Sequence, residues 1–103
     1  MRTYKIVVSE LAQADLRNIV TYISEVESTT RAKYVERCIL LEMKRLEYFP
    51  TAYPRDEYAS MGNWEIHFVV KWHYKILFFI DANVVHIVGI FHTAQNPQKL
   101  AYL

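Results

Sequence analysis

Cysteine, glycine and proline are nearly missing from this chain of 103 residues, which holds one, two and three of them. The lone Cys38 excludes an internal disulfide and a cysteine-based zinc site. Two glycines leave little room for a phosphate-cradling loop, and no P-loop, Gly-rich dinucleotide turn, HExxH or nucleophile elbow is present. The four histidines, His67, His73, His86 and His92, include no pair at the helical i, i+4 spacing of a metal site. No metal and no cofactor is therefore expected. Excess charge is missing too: the net formal charge is +1, which speaks against a large phosphate-binding footprint. No apolar run approaches the roughly 20 residues that cross a bilayer. Met1 to Lys5 leads into a strand-like Ile6-Val7-Val8 with no signal-peptide core, so a cytoplasmic protein without a membrane partner is expected.

What is present is apolar and aromatic. Apolar residues make up 52% and charged residues 22%, a globular composition that at this length fits a single domain over 1–103. The stretch from Trp64 to His92 organises the rest. In Trp64 to Lys71 apolar residues recur at every second position, a strand period. Tyr74 to Ile80 and Val84 to Phe91 are nearly continuous apolar runs rich in β-branched and aromatic residues, which favours strands. Asp81-Ala82-Asn83 suits a hairpin connection, since Asp and Asn tolerate left-handed backbone. Lys71-Trp72-His73, with neither Gly nor Pro, is a weaker turn signal. Three antiparallel strands in a meander follow, over about 64–92. Gly89 inside the last strand hints at a bulge or a close backbone approach.

Upstream lies the material to cover one face of that sheet. Lys5 to Val8 is a short first strand. Ser9 is a good N-cap, and Ala12, Leu16, Ile19, Ile23 and Val26 share one face of a helix over about 10–26, with Asp15 off that face. After Glu27-Ser28-Thr29-Thr30 a second helix runs from about Arg31 to Tyr48, inward through Ala32, Val35, Ile39, Met43 and Leu46. The short connection makes the helices an antiparallel hairpin over about 10–49, closed at Phe49-Pro50 because a residue before proline leaves the α region. The expected class is α+β, in the order β-α-α-β-β-β, with the helical hairpin packed on an antiparallel sheet and a polar tail over 93–103.

Few residues carry a chemical signal. His67 falls on the alternate face with Glu65 and Lys71, which reads as a solvated sheet face. His86 reads as packed or half-exposed mid-strand and His73 as a solvated turn residue. His92 comes where a strand hands over to the polar tail, where a titratable group can be both held and exposed. Glu57 as base, Lys75 on the scissile phosphate and His92 as acid could cleave RNA through its 2′-hydroxyl if the fold brought them together. Ordinary surface charge explains the same residues. Trp64 and Trp72 read as sheet packing before base stacking. Arg55, Lys71, Trp72 and His73, with Leu100 and Tyr102 in the tail, are candidates for contact with a partner protein, as is the sheet face the helices leave open.

The order and spacing of several segments resemble the RelE/ParE family of toxins from bacterial type II toxin–antitoxin systems. Ala12 to Ile23 is similar to the A-x-x-D-L-x-x-I-x-x-Y-I first helix of the ParE branch. Ala32 and Tyr34, then Leu46 to Pro50, follow in the expected places. Tyr74 to Asp81 is similar to the family's Y-[RK]-I-x-[YF]-x-[IV]-D strand, and Val85 to His92 to its V-x-I-x-x-[IV]-x-H ending, followed by Gln95-Asn96-Pro97. The resemblance implies a small cytoplasmic toxin neutralised by a cognate antitoxin, and one of two activities. ParE-like members poison DNA gyrase without bond chemistry of their own, whereas RelE-like members cut mRNA, usually on the ribosome. The first-helix pattern and the weak net charge point to gyrase. Lys75 and His92 match positions used by the ribonucleases, with Lys in place of Arg and Thr93 where those enzymes often carry Tyr. A binding module that survives only as an antitoxin sink is the third reading.

Overall fold

The computed structural model describes residues 2–57, 59 and 62–93. Leu100 and Tyr102 lie outside the described residues. The elements are β1 (Lys5–Val8), α1 (Glu10–Val26), α2 (Thr29–Arg45), a 3-10 turn (Pro50–Ala52), β2 (His67–Lys71), β3 (Tyr74–Asp81) and β4 (Val84–His92). The expected hairpin of helices and the meander of three strands are both there. The sheet, however, is mixed: its order is β1-β4-β3-β2, and β1 runs parallel to β4. The meander leaves one side of β4 unpaired, and β1 completes it there, with Lys5 N–H donating to the Asn83 carbonyl at 2.9 Å.

Local signals place the helix ends. Ser9 Oγ accepts from the Ala12 N–H, and Ser28 Oγ from the Arg31 N–H, each at 3.0 Å. Each bond satisfies one of the donors that a helix start leaves orphaned. α2 begins two residues before the expected Arg31 and ends at Arg45. The chain turns through Leu46 to Tyr48, and Phe49 adopts a left-handed φ of 52°, not the extended backbone that its proline neighbour favours.

The sheet is apolar on both faces. On the helix side, Val69, Ile76, Phe78, Val85, Ile87 and Ile90 pack with Ala12, Ile23, Val35, Ile39, Met43 and Leu46. On the other side Ile66, Leu77 and Val88 form a second cluster with Phe68, Phe79, Phe91 and Ala59. Each fully buried aliphatic or Phe side chain contributes roughly 1.5–3 kcal/mol. The helices do not cover this second cluster. The segment before β2 does, held by Asp56 N–H to the Ile66 carbonyl (2.7 Å) and Phe68 N–H to the Pro54 carbonyl (3.0 Å). Trp64 lies across it, stacked on Phe79 at 4.8 Å, and Phe79 stacks in turn on His86 at 4.7 Å.

This arrangement corrects the expected role of His67. It points toward the helices and not into water: its side chain is 16% exposed and its ring stacks on Phe78. Its Nδ1 lies 2.9 Å from the Tyr53 carbonyl oxygen, and because that oxygen can only accept, Nδ1 carries the proton. Alternation finds a strand's two faces without saying which is inner when both are covered. The strand itself starts at His67 and not at Trp64.

Gly89 does mark a bulge. Ile76 pairs with Ile90 and Leu77 with Gly89, but Phe78 pairs with Ile87, so Val88 is the extra residue. Asp15, expected off the buried face of α1, reaches this irregularity: its Oδ2 accepts from the Ile90 N–H at 2.9 Å. Burial of the carboxyl raises its pKa above the ordinary 3.8, and the Ile90 bond opposes that rise.

Candidate functional site

A cleft of about 730 Å³ opens where the two helices meet the end of the sheet. Ile19 and Ile23 of α1 and Val35 of α2 supply its aliphatic floor, while Tyr22, Trp72, His73 and His92 form its rim. Sequence order explains the convergence. The hairpin connection at Glu27-Ser28, the β2–β3 turn and the last residue of β4 all fall at the same end of the fold. The Thr93 N–H donates to the His73 carbonyl at 2.7 Å and ties β4's end to that turn.

The β2–β3 connection is the two-residue turn Trp72-His73, and Trp72 takes a φ of 54°. Two-residue hairpins usually put Gly, Asn or Asp at such a position. A left-handed conformation costs roughly 1–2 kcal/mol in an ordinary L-residue. The compensation is local: the indole stands half in solvent, 5.9 Å from the Tyr34 ring. Arg31 Cζ lies 5.5 Å from the Tyr34 centroid and 5.7 Å from that of Trp72, and Lys71 Nζ lies 4.9 Å from Trp72. Cations so placed over aromatic faces are attracted by about 0.5–1 kcal/mol at exposed sites. His73 and His92 stack at 5.7 Å, and Tyr74 meets His92 edge-on at 5.5 Å.

Tyr74 sits between these groups, and its phenol is pushed above its usual 10.0 first by burial and then by the Glu27 carboxylate, against the pull of Arg31. Glu27 and Arg31 therefore both act on one phenol from the cleft wall, yet they form no ion pair with each other within 4.0 Å. Neither residue stood out in the sequence. Their i, i+4 spacing straddles the helix break, and that placement at the hairpin's open end was the available signal.

The other sequence candidates fall elsewhere. Lys75 points to the opposite sheet face, its Nζ 2.8 Å from Asp56 Oδ2 and 4.5 Å from the centroid of Phe68. The Asp56 side chain is 1% exposed and also accepts from the Ala59 N–H at 3.0 Å, so this ion pair anchors the segment before β2. Glu57 is exposed beside it. The fold thus brings Glu57 toward the Lys75 face and puts His92 on the other. Arg55 pairs with Glu65 at 2.9 Å, both well exposed. Lys71, also 3.9 Å from Glu42 of α2, lies with Trp72 and His73 at the end of the β2 edge, so these three partner candidates do cluster. Among the described residues no group of three metal-ligating side chains occurs. No described helix is long and apolar enough to cross a membrane.

Comparison with known proteins agrees with this architecture. A chromosomal ParDE toxin–antitoxin system from P. aeruginosa superposes with a TM-score of 0.72 at 14% identity, covering 89% of this chain and 98% of that one. An archaeal RelE–RelB complex from Pyrococcus horikoshii OT3 gives 0.63, also at 14% identity, covering 91% and 99%. At that identity the likeness is one of fold. Curated protein sequences give no significant match. The family described as the ParE toxin of type II toxin-antitoxin system, parDE, matches residues 6–97, nearly the whole chain. The chain belongs to the ParE toxin family of type II toxin–antitoxin systems.

Proposed function

We propose that this toxin acts as a ParE-like inhibitor of DNA gyrase, does no bond chemistry of its own and is neutralised by a cognate antitoxin. The observation that carries the choice of target is the Lys75–Asp56 pair on the sheet face opposite His92. The ribonuclease alternative asks Lys75 and His92 to meet on one phosphate. Here the lysine is engaged by a buried carboxylate, and its charge is already compensated. The weak net charge supports the same reading, because work on ribosome-bound RNA profits from a strongly basic surface.

Support for the antitoxin comes from the family and from solved relatives that are themselves a ParDE system and a RelE–RelB complex. Along the β2 edge the Phe68 N–H donates to the Pro54 carbonyl, and beyond it Val70 has no backbone partner on that side among the described residues. With Val70, Lys71 and Trp72 exposed or half-exposed, this end of the edge offers an antitoxin backbone and side chains suited to a protein contact. The test is a supercoiling assay in which antitoxin-free protein is titrated into DNA gyrase with relaxed plasmid. Loss of supercoiling with accumulation of cleaved DNA is expected, and His92→Ala should keep it. Gyrase running unhindered at large excess of toxin would refute the proposal and send the search to mRNA cleavage on translating ribosomes.

A further inference from the structure

The cleft beside Trp72 has features that a covered protein surface does not need. Its wall carries a guanidinium and a carboxylate, Arg31 and Glu27, which face the same space and leave each other unpaired. Glu27 caps the end of α1 and Arg31 lies in the first turn of α2, so the helix break keeps them apart, and the Arg31 guanidinium lies over the Tyr34 and Trp72 rings at the cleft mouth. A ligand that is anionic at one end and rich in N–H donors at the other would satisfy both. Between them the floor is aliphatic and the rim aromatic, with Trp72 held in a conformation that an indole adopts only at a cost. Strain kept at an exposed bulky residue is a pointer to function. The volume of about 730 Å³ falls within the range of roughly 300–1,000 Å³ typical of small-molecule sites.

We propose that this cleft binds a guanine nucleotide, free or as an unpaired residue of a single strand, without cleaving it. The base lies against the aliphatic floor and the aromatic rim, where stacking tolerates any π-face. The Glu27 carboxylate accepts from the adjacent N1–H and N2–H₂ donors that only guanine presents. The phosphate sits at Arg31, whose planar fork suits it, with His73 at the mouth. Lys75, on the far side of the sheet, takes no part. The site is independent of the gyrase reading.

The experiment uses the full chain with Trp64→Phe, which leaves Trp72 as the only indole. Trp64 stacks on Phe79 on the opposite face, so its replacement spares the cleft. GMP, AMP, inorganic phosphate and a short guanine-containing RNA oligonucleotide are titrated separately while Trp72 fluorescence is followed. GMP should quench saturably and more tightly than AMP. Arg31→Gln should weaken GMP by about tenfold or more, as loss of a charge-assisted contact to phosphate does. Glu27→Gln should erase the preference over AMP with little effect on AMP itself. Both side chains are exposed, and unchanged circular dichroism will show that each variant folds. Tighter binding of the oligonucleotide than of GMP, lost in the same two variants, identifies a strand as the source, whereas tighter GMP identifies the free nucleotide. The proposal is overturned if GMP gives no quenching up to about 10 mM, where even a millimolar site fills. It is equally overturned if phosphate alone reproduces the GMP response, or if both variants bind GMP like the parent.

Discussion

Replacing Asp15 separates the two things its carboxylate does. Its Oδ2 satisfies the Ile90 N–H that the β4 bulge turns toward α1, and Ile90 itself is only 3% exposed. Asp15→Ala removes the acceptor and leaves that buried donor without a partner, a cost of about 1–3 kcal/mol. For a domain of this size the loss lowers Tm by roughly 5–20 °C. Asp15→Asn keeps an acceptor oxygen of the same reach and removes the charge. Because burial raises the Asp15 pKa, the ionised form is disfavoured in the folded protein relative to the unfolded chain. The sign follows: the folded state holds the extra proton, so this group's contribution is complete below its ordinary 3.8 and is lost as pH rises through the raised folded value. At pH 7 the Asp15→Asn variant is therefore expected to match or exceed the parent in stability, and the difference should vanish below pH 3.8. Urea denaturation of all three proteins at several pH values measures this. If Asp15→Asn proves as damaging as Asp15→Ala at pH 7, the negative charge itself holds the strand, and the argument from burial fails.

Three further outcomes follow from the geometry. Lys75→Met strips a carboxylate with a 1% exposed side chain of its cation, and should cost about 3 kcal/mol in urea denaturation; the double variant with Asp56→Asn, which removes the charge and keeps an oxygen for the Ala59 N–H, should recover part of that loss. Ala82 turns the β3–β4 hairpin at a φ of 56° with an exposed methyl, so Ala82→Gly should relieve strain and raise stability by up to about 1 kcal/mol. Ser9→Ala should cost about 1 kcal/mol by orphaning the Ala12 N–H at the start of α1, seen as a lower midpoint in thermal unfolding.

Much of the fold is legible because local and global signals agree. α1 begins and ends where Ser9 and the 3–4 spacing of its apolar residues put it, and the meander follows from three apolar runs with short links. The pairing of β1 was not legible: four residues of Lys-Ile-Val-Val fit either direction beside β4, and only the tertiary path decides. The sides of β2 were not legible either. A strand with Ile66 and Phe68 on one face and Val69 on the other offers no inner face until the covering segment before it is placed. At the site, Trp72, His73 and His92 were visible as strand-end residues. Glu27 and Arg31 became functional candidates only when the hairpin brought its open end to the same place, because neither carries a motif and each is an ordinary helix-end charge in one dimension.

The separation of Lys75 from His92 shows why counting residues could not have judged a catalytic pair. Along β4, Val85 and Ile87 face the helices and His86 faces away; continued alternation would turn Gly89 inward and His92 outward, onto the face of Lys75. The bulge interrupts the count. With Val88 and Gly89 opposite the single Leu77, both Val88 and Phe91 join the outer cluster, Ile90 joins the helix-side core, and His92 comes to lie against Tyr74 at the cleft. One extra residue thus moves the histidine from one chemistry to another. Asp15 holds the Ile90 N–H at this point, and Ser9 lies 3.4 Å from the Val88 carbonyl through its Oγ. The Asp of the first-helix pattern therefore acts on the far end of the sheet: it stabilises the register that gives the cleft its histidine and keeps Lys75 with Asp56.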